Sequence, residues 1–465
     1  MSTFSMFEIG KSALIASKRT MDVTSHNIAN AATPGYSRQD AFLEPLIQRQ
    51  SQMISGVGVR VADIRRTRDI FVDAVLRNES GREAAFLVQQ EVLDHVQTAV
   101  AEPQGNSIRE TIDSFWSAWQ DLSSDADSPG ARAQLMERGR SLVDMFNHLG
   151  GQLDSVTEDI DIHIESLVVR VNDLAERVAG LNVEIARALA RQEPAADLMD
   201  RRDLLLDELT ELTGGTVSFS GEGNNVRFSI GGFPIVDRDK TYKIEVSTSP
   251  TGTEFKWLSS PEGAPQTMSS IGGRLGGLKT AKEQLVVDFK HQLERLFGDI
   301  VRSVNSVHIQ GDAGIPFFVQ DSGALAYLGF TQVNPAIVAD QSLIAATRNP
   351  DEPGDMALEI ADILADGCDD PDNPGETILP FIETWIAMMG TLGAKAQKVE
   401  TGVTTQGLLV KELRNRRDSI SGVSVDEEVA QLIRQQHAFS AASRVITVAD
   451  EVIDTIINRM GHAGR

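Results

Sequence analysis

Apolar positions along the chain fall into two periods, and the alternation between them outlines the molecule. Near the start, Phe7, Leu14, Met21 and Ile28 recur every seven residues, the spacing of a narrow coiled-coil seam on a helix. Ser5 and Glu8 stand at capping-box distance at its beginning, and Thr33-Pro34-Gly35 ends it. Near the other end Leu432, Phe439, Ile446 and Ile453 repeat the same interval. There Ser424 and Glu427 form a second capping-box pair, and Gly461 follows Met460 as a C′ residue. A helix from Val425 to Met460 would run about 54 Å. Each seam could pack on its nearest domain or pair with another long helix. The flanking positions are rich in Ala, Ser, Thr and Gln, and such helices bury too little alone, which favours pairing.

Between the ends the helical period recurs. Helices are expected over 82–101, over 107–122 with Trp116 and Trp119 on one face, and from Ser128-Pro129-Gly130 to a break at Gly150-Gly151. Another is expected over 152–191, where Leu167, Val171, Leu174, Val178, Leu181 and Ile185 alternate spacings of four and three. At Gly214-Gly215 the period becomes two. Val217 and Phe219, then Val226, Phe228 and Ile230, then Tyr242, Ile244 and Val246, then Phe255 and Trp257 alternate with polar residues, which predicts a small antiparallel β insertion over 214–271. Helical periodicity resumes from Gly277 to about Ile309. Residues 310–376 read as loop-rich with short helical pieces, and a helix pair at about 377–420 and 425–460 closes the chain.

This patterning divides the chain into a terminal region over 1–70, a helical body over 71–213, the β insertion over 214–271, a second part of the body over 272–384 and C-terminal helices over 385–465 that pair with the N-terminal region. A length of 465 residues fits two to four domains. Only 5% of residues are aromatic against 41% hydrophobic, so the core must be aliphatic. With 43 basic and 67 acidic residues the net charge is −24, which argues against nucleic-acid and anionic-membrane partners. A net charge this far from zero favours solubility. The single cysteine, Cys368, excludes an internal disulfide and a Cys-based zinc cluster. No apolar run approaches the length of a membrane span, and Ala13–Ala16 is too short for a signal-peptide core. The protein is expected to be soluble, or to leave the cell by a route that reads no cleavable signal.

Candidate chemistry is sparse. Residues 271–280 (IGGRLGGLKT) are glycine-rich, but Leu278 separates Lys279 from the last glycine and no apolar strand precedes, so a phosphate loop is rejected in favour of a glycine-rich helix entry. In 367–376, Asp370 and Asp372 with Gly375 suggest a calcium loop. Pro374 and Phe381 occupy its fifth and twelfth positions, which leaves an acidic turn. Asp200, Asp203 and Asp207 share a helix face, with Arg201 and Arg202 near enough to keep them ionised as a structural cluster. The eight histidines show no ligand spacing, there is no Gly-x-Ser-x-Gly elbow, and the acidic surroundings of Cys368 would raise its pKa. No enzyme, cofactor or metal is expected. The chain reads as something that assembles.

One stretch is more specific. SHNIANAATPGYSRQ (25–39), with Asn27, Asn30, Pro34, Gly35 and Tyr36, closely resembles the N-terminal signature of the bacterial flagellar axial proteins of rod, hook and hook-associated components. Within that superfamily, GVGVRVADIRRTRDIFVDAVLR (56–77), FWSAWQDLSSDADSPGARAQL (115–135), DLMDRRDLLLDEL (197–209), GGRLGGL through VNSVHIQG (272–311) and residues 422–460 follow the order of the hook-associated family that forms the proximal hook–filament junction. The likeness is weakest over 214–271 and 312–376. The family more often has Tyr near His437-Ala438-Phe439, and the aromatic seam position survives as Phe439.

The resemblance implies a mainly α fold with a small antiparallel β insertion, a central helical bundle and long terminal helices forming an antiparallel coiled coil. It implies a secreted structural subunit of the extracellular flagellum, exported unfolded through the type III export apparatus with a dedicated export chaperone. Partners would be copies of itself in a tubular helical assembly, the hook protein and the second hook-associated protein, joining hook to filament. Thin seams would leave the ends marginal in a free monomer and ordered only on assembly. Rival readings are another axial protein (the hook protein or the second hook-associated protein), an enzyme carried in the β insertion, or an insertion that binds host surfaces.

Overall fold

A computed structural model describes residues 3–50, 53–100, 107–220, 225–260, 263–320, 326–370 and 377–455. The chain begins with helix α1 (Thr3–Asn30) and closes with α11 (Val425–Asp454). The two run antiparallel: Gly10 lies against Ile446, the Thr24 hydroxyl donates to the Gln435 side chain at 3.2 Å, and Asn27 reaches Glu428 at 3.0 Å. Expected pairing of the long terminal helices is thus observed, but the line of burial is not the seven-residue seam. Ala16, Val23, Thr24 and Asn27 are buried on α1, and Glu428, Ala442 and Ala449 on α11. Leu14, Met21, Ile28, Leu432, Phe439, Ile446 and Ile453 are half-buried, and Phe7 is 37% exposed. Helix α1 touches α11 and also the following hairpin, so its burial is shared between two neighbours. Small residues mark the closest approach: a Cβ on Gly10 would stand 2.7 Å from Ile446 Cγ1.

The expected caps differ. Helix α1 already includes Ser5, which is therefore not its cap. Ser424 is the N-cap residue of α11 but makes no side-chain capping bond, and Glu427 lies 3.6 Å from Arg38 instead. Gly461 and Met460 lie outside the described residues.

Strands β1 (Gln39–Gln50) and β2 (Met53–Arg66) form a long antiparallel hairpin. The sequence reading missed it, although Val57, Val59 and Val61 alternate with Gly58 and Arg60. It leans on α1, where the Ser12 hydroxyl accepts from Val59 N at 3.2 Å.

The body consists of α2 (Ile70–Val100), α3 (Ile108–Ser124), α4 (Pro129–Ala190), α5 (Ala196–Thr213), α6 (Gly273–Ala281), α7 (Asp288–His308) and α10 (Phe381–Ser421). Helix α2 starts twelve residues before the expected 82, and α4 runs unbroken through Gly150-Gly151 for 62 residues, about 93 Å. The expected break fails because packing, not propensity, holds this helix: Leu149, Gly150 and Leu153 are buried, and Gly150 faces Leu328. At the N-terminus of α3 a capping box does form, with Ser107 Oγ accepting from Glu110 N at 2.9 Å and Ser107 N donating to the Glu110 carboxylate at 3.3 Å. Trp116 stacks on Phe381 and Trp119 packs against Phe317 and His308.

Two small antiparallel sheets occupy the expected insertion. One comprises β3 (Thr216–Ser220), β4 (Asn225–Ile230), β5 (Phe233–Asp237) and β6 (Lys240–Thr241); the other β7 (Lys243–Ser249), β8 (Gly252–Leu258) and β9 (Gln266–Thr267). Val226, Phe228 and Ile230 face the core from one sheet, Ile244, Phe255 and Trp257 from the other, and Trp257 Nε1 donates to Pro234 O at 2.7 Å across them. Entry and exit touch. Gly272 N donates to Thr213 O at 2.8 Å, and a Cβ on Gly214 (φ +64°) would lie 2.8 Å from Gly272 Cα, so glycine is required by both conformation and contact. A π-helical stretch, Lys282–Val287, joins α6 to α7; there the fully buried Lys282 ammonium bonds both Asp161 carboxylate oxygens at 2.7 and 2.8 Å and Ser249 O at 2.6 Å. It pins the insertion to α4.

The loop-rich stretch holds β10 (Phe318–Gln320), β11 (Thr331–Val333), α8 (Pro335–Ala339), α9 (Asp355–Asp366), β12 (Cys368–Asp369) and β13 (Thr377–Ile378). Asp370 is buried 3.7 Å from Arg302, whereas Asp372, Pro374 and Gly375 of the rejected calcium loop lie outside the described residues. In the rejected phosphate loop, Gly277 packs on Ala85 and Val88 of α2 and Lys279 sits 3.9 Å from Glu283.

Candidate functional site

The 25–39 segment lies where both chain ends meet the body. Helix α1 stops at Asn30, whose side-chain amide donates to His26 O at 3.0 Å and whose Oδ1 accepts from Thr33 at 3.2 Å. The chain then turns through Pro34 and Gly35; Gly35 has φ +76°, and a Cβ there would stand 2.5 Å from Leu204. The turn folds Tyr36 back on α1.

Asn27, 1% exposed, is satisfied completely. Its amide donates to Gln39 O (2.9 Å) and Glu428 Oε2 (3.0 Å), while Oδ1 accepts from Tyr36 OH (2.8 Å) and Gln39 N (3.0 Å). Those are the two donors and two lone pairs an amide has. The Tyr36 ring meets His26 edge-on, its OH 3.0 Å from His26 Nδ1. Burial first, then the charges of Asp197, Asp200 and Glu428, push the phenol well above its ordinary pKa, so it remains a donor. Glu428, 2% exposed, also pairs with Arg38 Nε at 2.9 Å, and Arg38 N donates to Ser421 O at 2.9 Å. Its position in the first turn of α11 suits an anion.

Helix α5 supplies the body's side of the contact. Asp197 accepts from Gln39 Nε2 (2.9 Å), and Asp200 from both Ser37 N (3.0 Å) and Ser37 Oγ (2.8 Å). Arg66 bridges Asp200 and Asp203 at 2.8 and 2.7 Å, and Arg68 binds Asp203 and Asp73. Arg77 and Arg417 converge on Asp207 at 2.6 and 3.1 Å. Burial alone would raise the Asp203 carboxyl, but Arg68, Arg66 and Arg77 outweigh it and hold it below the usual carboxylate range.

The aspartate cluster is therefore an ion-pair network, with different arginines from those expected. Arg202 turns inward, where it bonds Asn182 Oδ1 at 3.1 Å and burial lowers its pKa to about 10; Arg201 is exposed. Sequence reasoning found Asn27, Asn30, Pro34, Gly35 and Tyr36 but missed Arg38, Gln39, Arg66, Arg68, Arg77, Arg417 and Glu428. The basic run Arg65-Arg66-Thr67-Arg68, facing a helix with acids at spacings of three and four, was the available signal. Among the described residues no group of three or more His, Cys, Asp or Glu could hold a metal ion, and no helix is long and apolar enough to cross a membrane.

Comparison with known proteins places the same segments in order. The model of the flagella basal body rod protein family matches 7–36, that of the flagellar hook-associated protein FlgK helical domain matches 93–318, and that of the flagellar basal body rod FlgEFG protein C-terminal region matches 416–460. Flagellar hook-associated protein 1 of Bacillus subtilis (strain 168) is 26% identical, with 100% of both chains covered; that of Salmonella typhimurium (strain LT2) is 24% identical, covering 98% of this chain and 99% of its own. A solved flagellar hook junction protein from Burkholderia pseudomallei aligns over 53% of this chain and 47% of that one, at 22% identity and a TM-score of 0.48. With relatives matched from end to end and the terminal and helical-body families in sequence, this chain is similar over its whole length to flagellar hook-associated protein 1.

Proposed function

We propose that the protein is a structural subunit of the bacterial flagellum that joins hook to filament by helical self-assembly outside the cell. The observation that carries this reading is the clasp. Residues 25–39, alike in flagellar axial proteins, tie the antiparallel terminal helices to a separate helical body through α5. A subunit so built presents its paired ends to neighbouring copies and carries its body beside them. Repeating one such contact by constant rotation and rise generates a tube. Its partners are further copies, the hook protein below and the second hook-associated protein above. Before assembly an export chaperone and the type III apparatus handle the chain, whose charge of −24 keeps it soluble. The role is mechanical, without catalysis or cofactor. Electron microscopy of a strain lacking the gene tests it: hooks without filaments, with flagellin shed into the medium, are expected. Complete filaments in that strain would overturn it.

A further inference from the structure

Sliding α1 along α11 by one heptad, about 10 Å, would leave most of their contact unchanged. Buried Ala16 and Val23 are seven residues apart, as are Ala442 and Ala449. Half-buried Leu14, Met21 and Ile28, and Leu432, Phe439 and Ile446 across from them, repeat at the same interval. A slip therefore returns apolar side chains to equivalent positions, and burial does not choose between registers. Polar pairs and one close approach do choose, the Thr24–Gln435 hydrogen bond at 3.2 Å among them. A slip puts Thr20 or Pro34 where Asn27 now meets Glu428. The Thr20 hydroxyl is already bonded to Ala16 O at 2.8 Å, and proline has no side-chain donor. Glu428 would stay buried without its amide partner, which is unfavourable. The same slip brings a side chain to the place of Gly10, whose Cβ would meet Ile446.

We infer that the buried Asn27–Glu428 pair is a register lock, which selects one axial alignment of the terminal helices rather than adding to their affinity. The inference rests on the proposed pairing of the ends during assembly. A subunit one heptad out of register would offer neighbouring copies helix ends displaced by about two turns.

The test uses the full chain with Cys368→Ser and two engineered cysteine pairs. Thr24→Cys with Gln435→Cys reports the native register, and Thr24→Cys with Ala442→Cys the slipped one. Slow oxidation of the protein after its copies have stacked traps each intramolecular disulfide. The native pair should form at least about tenfold more than the slipped pair, and Asn27→Leu should bring the two within about threefold of each other. Glu428→Gln, which still accepts from the Asn27 amide, should keep the native preference. Unchanged tryptophan emission shows that the body remains folded in each variant. If Asn27→Leu retains the tenfold preference, the lock is wrong. If neither pair forms in the chain with Asn27 intact, the pairing itself fails, and the lock with it.

Discussion

Asp203 and His308 illustrate two ways in which this chain buries a titratable side chain. Asp203 is surrounded by guanidinium groups, so replacing it leaves Arg66, Arg68 and Arg77 without their shared counter-charge. Asp203→Asn should destabilise the fold by about 3–5 kcal/mol, the usual effect of breaking a buried ion pair; urea unfolding followed by tryptophan emission measures it, and a loss below about 1 kcal/mol would contradict the network. His308 is fully buried and neutral: Nδ1–H donates to Ile315 O at 2.8 Å, and Nε2 accepts from Ala345 N at 3.0 Å. Burial lowers its pKa. The unfolded chain therefore takes up a proton below about pH 6.5 that the fold refuses, so stability is level above that pH and falls as acid is added. Melting at pH 5 should begin at lower temperature than at pH 7.5, and His308→Gln should flatten that difference. An equal pH slope in the variant would assign the effect elsewhere. The Asn27–Tyr36 motif was legible because its residues lie close together in sequence. Glu428 and Arg417 were not, since their roles depend on neighbours some four hundred and two hundred residues away.

Elements were read best where one face is dry and worst where length or packing overrides local signals. The period of two in 214–271 revealed the strands because each sheet has one buried face. The hairpin β1–β2 escaped because it is a two-stranded ribbon with Phe42, Leu43 and Ile47 exposed, so its alternation is blurred by a register shift at Phe42/Leu43. The glycines of α4 suggested an end that the packing does not honour. Two substitutions separate these effects. Gly180→Ala in α4, where a Cβ meets nothing within 4 Å, should stabilise by about 0.5–1 kcal/mol. Gly277→Ala in α6, where the Cβ would lie 2.6 Å from Ala85 O, should destabilise by about 1–3 kcal/mol. Equal shifts in the two denaturation midpoints would refute the packing account.

At the scale of the molecule, the described residues of the ends share a thin apolar contact and are tied to the body through the 25–39 segment. Along α11 only Glu428, Ala442 and Ala449 are buried, while Val425, Val429, Ile433, Val445, Val448 and Val452 remain open. In the free monomer, amide exchange over 3–23 and 433–454 should be fast compared with α4, slowing when copies stack. Strong protection at micromolar concentration would show that the ends need no neighbours. Leu432→Asp or Ile446→Asp should leave the tryptophan emission of the body unchanged and abolish filament attachment; normal swimming by either mutant would rule out the terminal pair as the assembling element.

The glycine doorway formed by Gly214 and Gly272 has a consequence for how such chains diversify. Because the segment between them leaves and rejoins its helices at one point, its contents can be lengthened, exchanged or decorated without altering the distance any other part must span. The inner face of the insertion stays bound to α4 through Lys282, Asp161 and Ser249, so it is the exposed turns, such as that at Gly232 where an added Cβ meets nothing, that have room to vary.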